Sequence, residues 1–113
     1  MANATTKVGL FIEITGLDAD WTLANCGIAA LNTKQKILVK SIQFNPGAAN
    51  DVMIIRNGGI DATPVFRCKC TGDTDNRLRY YGTKGVLMAP VIDITDCTLG
   101  AAANSSVMIE LAD

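Results

Sequence analysis

The chain has 113 residues, the length of one domain, with 49% hydrophobic and 19% charged residues and a formal net charge of −1. That apolar content excludes general disorder, and the small net charge gives no general attraction to nucleic acid or to an anionic membrane. Histidine is absent, which removes every Ser-His and Cys-His nucleophile pair.

In chain order, residues 1–6 are small and polar and read as a flexible N-terminal arm. Residues 7–15 place Val8, Leu10, Ile12 and Ile14 in strict alternation, which predicts one half-buried strand with Phe11 on its other face. Residues 16–21 are turn-like. Residues 21–32 read as irregular with a short strand near 27–31, because Gly27 and the asparagines weaken the helix that the alanines would allow. Trp21, the sole tryptophan, is either a core plug or an anchor for a partner.

Residues 37–44 give the clearest strand, with Ile37, Val39 and Ser41 on one face and Leu38, Lys40, Ile42 and Phe44 on the other. Asn45-Pro46-Gly47 stops it. Residues 52–56 are almost continuously apolar and predict a central strand, and Asn57-Gly58-Gly59 is a reversal signal. In residues 65–70, Phe66, Cys68 and Cys70 are predicted to point inward and Val65, Arg67 and Lys69 outward. A polar turn (71–76) leads to a short strand (77–81) in which Leu78 and Tyr80 alternate with Arg77, Arg79 and Tyr81. After a turn at 82–85 come strands at 86–88, 91–95 and 107–111, the last preceded by a small-residue loop at 99–106. About seven to nine short strands with regularly spaced turn signals predict an all-β fold. The expectation is a single domain, 1–113, forming a small antiparallel β-sandwich or a jelly-roll-like barrel.

The residues that carry chemistry in other proteins do not assemble here into a catalytic motif. Asp73 and Asp75 resemble the start of a calcium loop, but counting from Asp73 places Leu78 where the loop glycine belongs and Lys84 where the closing glutamate belongs. Asp93 alternates with Ile92 and Ile94, so it is expected to face water. No G-x-x-x-x-G-K-[ST] loop occurs. The opening residues lack a charged segment followed by a long apolar one, and no apolar run reaches the ~20 residues of a membrane-spanning helix. Folding in a cytosol and no membrane association are expected. The four cysteines, Cys26, Cys68, Cys70 and Cys97, then read as reduced thiols in the core. Their C-x-C spacing with distant singles departs from a zinc knuckle, so no metal and no other cofactor is expected.

Basic residues concentrate more usefully. Arg67, Lys69, Arg77, Arg79 and Lys84, with Tyr80 and Tyr81, flank one expected hairpin, on which cross-strand pairing would bring the cations to one face. Together with Trp21 they are the candidate interface residues. Such a face suits an acidic protein surface or a single-stranded nucleic acid, and its plainest reading is a solvated sheet partly neutralised by Asp73 and Asp75.

The order of these segments resembles a known group of proteins. A strand, the stretch Asn45-Pro46-Gly47-Ala48-Ala49-Asn50-Asp51, strand 52–56, a Gly-rich turn, a strand, a Gly85-Val86-Leu87 restart, the Cys97-Thr98-Leu99 step and a closing VMIEL are similar to small β-sandwich proteins encoded among the structural genes of tailed bacteriophages. Such proteins are virion components, often capsid decoration (cement) proteins. The resemblance covers about residues 34–111 and rests on strand order and turn placement. It implies a non-enzymatic virion protein, made in the host cytoplasm, that binds the major capsid protein on the shell's outside, with a second copy of itself as a further candidate partner in a homo-oligomer. A carbohydrate- or receptor-binding module of a phage tail or fibre is the alternative. A nucleic-acid binder using the basic segment 67–84 is the third reading.

Overall fold

In a computed structural model of the protein, residues 4–59 and 62–112 are described. They form nine strands and one short helix: β1 (Ala4–Val8), β2 (Phe11–Thr15), α1 (Ala29–Asn32), β3 (Ile37–Asn45), β4 (Val52–Asn57), β5 (Pro64–Lys69), β6 (Arg77–Tyr80), β7 (Val86–Met88), β8 (Pro90–Ile92) and β9 (Ser106–Leu111). The larger sheet runs β1-β2-β9-β3-β6, with β7 also pairing on β3; the smaller runs β5-β4-β8. Every pairing is antiparallel. The fold is the expected small all-β sandwich, and β4 is central in its sheet, as its continuous apolar run requires.

Period-two patterning fills the interior. The larger sheet contributes Ile12, Ile14, Ile37, Val39, Ile42, Phe44, Val107 and Ile109, and the smaller contributes Met53, Ile55, Phe66 and Ile92, all buried. Each such side chain removed from water stabilises the fold by about 1.5–3 kcal/mol. Trp21 is wholly buried and joins the two sheets. Its backbone forms a bridge to Ile92 on β8, with both N–H···O distances at 2.9 Å, and its indole N–H donates to Thr5 Oγ1 of β1 at 2.9 Å. It is therefore the core plug of the two expected alternatives, not a surface anchor.

Four local expectations are corrected. Residues 7–15 are not one strand but part of a hairpin, in which Gly9 and Leu10 turn the chain and Val8 pairs with Phe11. Gly9 has φ +59°, and glycine at the first central position is what a type II′ hairpin turn asks for. Residues 4–6 of the expected arm belong to β1, held by β2 and by the Trp21 indole; residues 1–3 lie outside the described residues. The short strand expected near 27–31 is instead the helix α1, whose Leu31 fills the core. In β3 the register shifts between Val39 and Ser41, so a bulge at Lys40 lets Ile37 and Val39 share the inner face with Ile42 and Phe44.

Asp93 is also corrected: it is buried, not solvated. Its Oδ1 accepts from Thr95 N–H at 3.1 Å and Thr95 Oγ1 at 2.8 Å, capping a 3₁₀ turn at Ile94–Asp96.

A second buried carboxylate ties the loops at one end of the sandwich. Asp51, 1% exposed, accepts from the N–H groups of Gly47 (3.1 Å), Ala48 (3.3 Å) and Gly100 (2.9 Å). It thus fixes the β3–β4 turn against the loop before β9.

Candidate interaction surface

The outer face of the larger sheet is the feature that hydrophobic burial does not explain. Eight large apolar or aromatic residues are markedly exposed: Val8, Leu10, Phe11, Leu38, Leu78, Tyr80, Val86 and Leu87, with Val8 at 71% and Leu78 at 65%. All eight lie on this sheet or in its β1–β2 turn. Among the described residues the smaller sheet has none of this exposure; its outward Val52 and Ile54 are half-buried and stand in register with Lys69 and Arg67.

Register arranges the face in rows. Val8, Phe11, Glu110, Ser41 and Tyr80 form one, and Thr6, Glu13, Met108, Gln43 and Leu78 the next. In the first row the apolar groups stand toward the two edges and the polar ones along the middle; in the second, Met108 takes the middle and Thr6 one edge. The polar groups largely satisfy one another: Ser41 Oγ donates to Glu110 Oε1 at 3.1 Å, Lys40 Nζ lies 3.7 Å from Glu110 Oε2, Gln43 Nε2 donates to Asn45 Oδ1 at 2.8 Å, and Asn45 Nδ2 donates to Ser106 Oγ at 2.9 Å. The face thus exposes large apolar side chains beside polar groups that already hydrogen-bond one another.

The basic residues predicted to share one face do not. Arg67 and Lys69 stand exposed on β5 in the smaller sheet, opposite in facing to Phe66 and Cys70. Arg77 and Arg79 stand on β6 in the larger sheet, in register with the inward residues Phe44 and Ile42. β5 and β6 therefore form no hairpin; they belong to different sheets, β6 pairing with β3. Arg77 is engaged by Asp75, with Nη2 2.7 Å and Nε 3.0 Å from its carboxylate oxygens. The Arg77 guanidinium and the Thr71 N–H hold the Asp75 carboxyl well below the usual carboxylate range, and the Arg77 pKa is raised in return. Arg79 stacks over the Tyr81 ring, 5.2 Å from its centroid. Tyr81 is half-buried; its hydroxyl donates to the Val65 carbonyl, linking the edges of the two sheets, and burial raises its pKa. Tyr80 is exposed on the outer face, its hydroxyl 3.0 Å from Thr83 Oγ1, and Lys84 is exposed in the following turn.

Of the sequence candidates, then, Tyr80 alone lies on the apolar outer face. Val8, Leu10, Phe11, Leu38, Leu78 and Leu87 were not among them, nor was Val86, which is exposed at the sheet edge in register with the inward Val39. The signal that would have found Val8 and Leu10 is Gly9: a turn there changes which face their alternation addresses.

The four cysteines are unpaired thiols, Cys26 and Cys70 buried and Cys68 and Cys97 half-buried. Burial pushes the Cys68 thiol up to about 12 and raises those of Cys70 and Cys97. Cys97 Sγ is 3.7 Å from Met53 Sδ and 3.5 Å from the Asp93 carbonyl. Thiols kept protonated in this way pack as small apolar groups and are poor nucleophiles. Among the described residues no group of three or more acidic or cysteine side chains is placed to hold a metal ion, and no helix is long and apolar enough to cross a membrane. No family model, no curated protein and no solved structure matches the chain.

Proposed function

We propose that this chain is a structural binding protein that docks through the outer face of its larger sheet, and that its role is that of a capsid decoration protein on the shell of a tailed phage. The observation that carries the docking is the confinement of all eight exposed large apolar groups to that one sheet and its turn. The capsid as partner rests on the resemblance in strand order and turn placement. The role needs no reaction, only burial of the apolar flanks against the major capsid protein.

Self-association is part of this reading. The edges formed by β5 and β6 carry Arg67, Lys69, Arg77 and Arg79, and β5 and β8 each begin with proline, devices that discourage strand addition. Edge strand β1 carries only Lys7, whose ammonium is turned onto the Gly9 carbonyl at 2.8 Å, and at five residues it is longer than the uncharged three-residue edge β7, so it offers the longest lightly guarded edge among the described residues. A homo-oligomer would form there by edge pairing.

Sedimentation of the purified chain with mature and with unexpanded shells of the virus that encodes it tests the proposal. Co-sedimentation with mature shells, and little with unexpanded ones, is expected. Failure to bind either shell would overturn it. Salt-dependent binding to single-stranded oligonucleotides, or a signal on a glycan array, would favour the alternative roles instead.

A further inference from the structure

One end of the larger sheet opens into a groove of about 410 Å³. Its apolar floor includes Leu31 of α1, Ile37 and Leu38 at the start of β3, Leu87 of β7 and Leu111 of β9. Backbone bonds from Leu111 N–H to Leu10 O (2.7 Å) and from Ala112 N–H to Leu38 O (3.0 Å) hold that floor together. Three lysines, Lys7, Lys34 and Lys36, line it, and the lining contains no carboxylate among the described residues. None of the three forms an ion pair among the described residues; Lys7 has only the Gly9 carbonyl, while the ion pairs present elsewhere use Lys40, Arg56 and Arg77.

Lysine stems often lie along apolar surface while their heads stay in water. Here three lysines line one groove whose floor is partly uncovered, since Leu38 and Leu87 are both exposed. An apolar floor and a cationic rim with no ion pair among the described residues together select an occupant that is both acidic and apolar. Leu38 and Leu87 also belong to the outer face described above, so the groove is continuous with the docking surface. An occupant entering from there remains attached to whatever lies on the sheet, which favours a segment of polypeptide over a free small molecule.

We infer that this groove accepts an acidic, apolar peptide segment of the docking partner, its carboxylates on Lys7, Lys34 and Lys36 and its aliphatic side chains on Leu38, Leu87 and Leu111. The inference rests on the docking reading and adds to it the chemistry of the bound segment.

The test uses two probes, the blocked tetrapeptides Glu-Leu-Leu-Glu and Lys-Leu-Leu-Lys, titrated into the full chain while leucine methyl signals are followed by NMR. The acidic peptide should shift the methyls of Leu38, Leu87 and Leu111 saturably, with affinity falling as salt rises. The basic peptide should bind at least tenfold more weakly. In the double variant Lys34→Glu, Lys36→Glu the preference should reverse, and in Lys34→Gln, Lys36→Gln it should be lost. Both positions are exposed, and unchanged circular dichroism would confirm folding. Equal binding of the two peptides, shifts confined to other leucines, or saturation by dodecanoate with none by the acidic peptide would each overturn the inference. Shell binding separates this claim from the one beneath it. A Lys34→Glu, Lys36→Glu variant that binds shells as tightly as the unaltered chain would overturn the groove assignment and leave the sheet-face reading standing.

Discussion

Gly47 occupies a position that only a residue without a side chain can fill. A Cβ there would collide with the Ala101 carbonyl oxygen and press on Asn104 and Ser105 backbone atoms, each 3.2 Å away. Gly47→Ala should therefore lower stability by about 1–3 kcal/mol, the usual penalty for overpacking, read as a fall in the denaturant midpoint at unchanged slope. The Asn45-Pro46-Gly47 turn was legible in the sequence. The close approach that requires the glycine was not, because its neighbour is some fifty positions away. Asp51 and Asp93 follow the same logic: alternation suggested a solvated Asp93, whereas the Thr95 N–H and hydroxyl supply the partners that let it be buried, as three loop N–H groups do for Asp51. Cys68 makes a pH prediction. Burial raises its thiol from 9.0 to about 12, so between those values the unfolded chain has lost a proton that the folded chain retains. Its contribution to stability is complete below pH 9 and declines as pH rises toward 12. Denaturant titrations at pH 7.5 and 10.5 should show a smaller loss of stability over that interval in Cys68→Ala than in the unaltered chain.

At the level of strands, two residues decide what alternation means. A single strand over 7–15 would put Val8, Leu10, Ile12 and Ile14 on one face. The two-residue turn at Gly9 and Leu10 instead pairs Val8 with Phe11, so Val8 joins the outer set while Ile12 and Ile14 stay inside. In β3 the extra residue Lys40 performs the opposite service, bringing two apolar pairs of different parity onto one face. Both departures are parity changes, which a period-two pattern cannot reveal by itself; the exposed surface was hidden in the sequence for this reason. Deleting Lys40 should force either Ile37 and Val39 or Ile42 and Phe44 out of the core. At about 2 kcal/mol for each side chain, that is a loss of about 4 kcal/mol, comparable with the whole stability of a marginal domain. Circular dichroism melting should show a greatly lowered or non-cooperative transition for the deletion, and an almost unchanged one for Lys40→Ala.

For the molecule as a whole, strand count, turn positions and fold class were readable because nearly every element has a short apolar run with a turn signal beside it. Pairing was less readable. β9, the last strand, lies between β2 and β3, and β5 and β6 go to different sheets, so the basic cluster that looked local in sequence is divided in space. The radius of gyration, 12.8 Å, is close to the ~13 Å of a compact domain of this length. The most direct measurement is shell binding by two double variants, Phe11→Glu with Leu87→Glu on the outer face of the larger sheet, and Arg67→Glu with Lys69→Glu on the smaller one. All four positions are exposed or partly exposed, so both proteins should melt close to the unaltered chain. Loss of binding in the first pair and retention in the second is the predicted result; retention in the first pair would contradict the account.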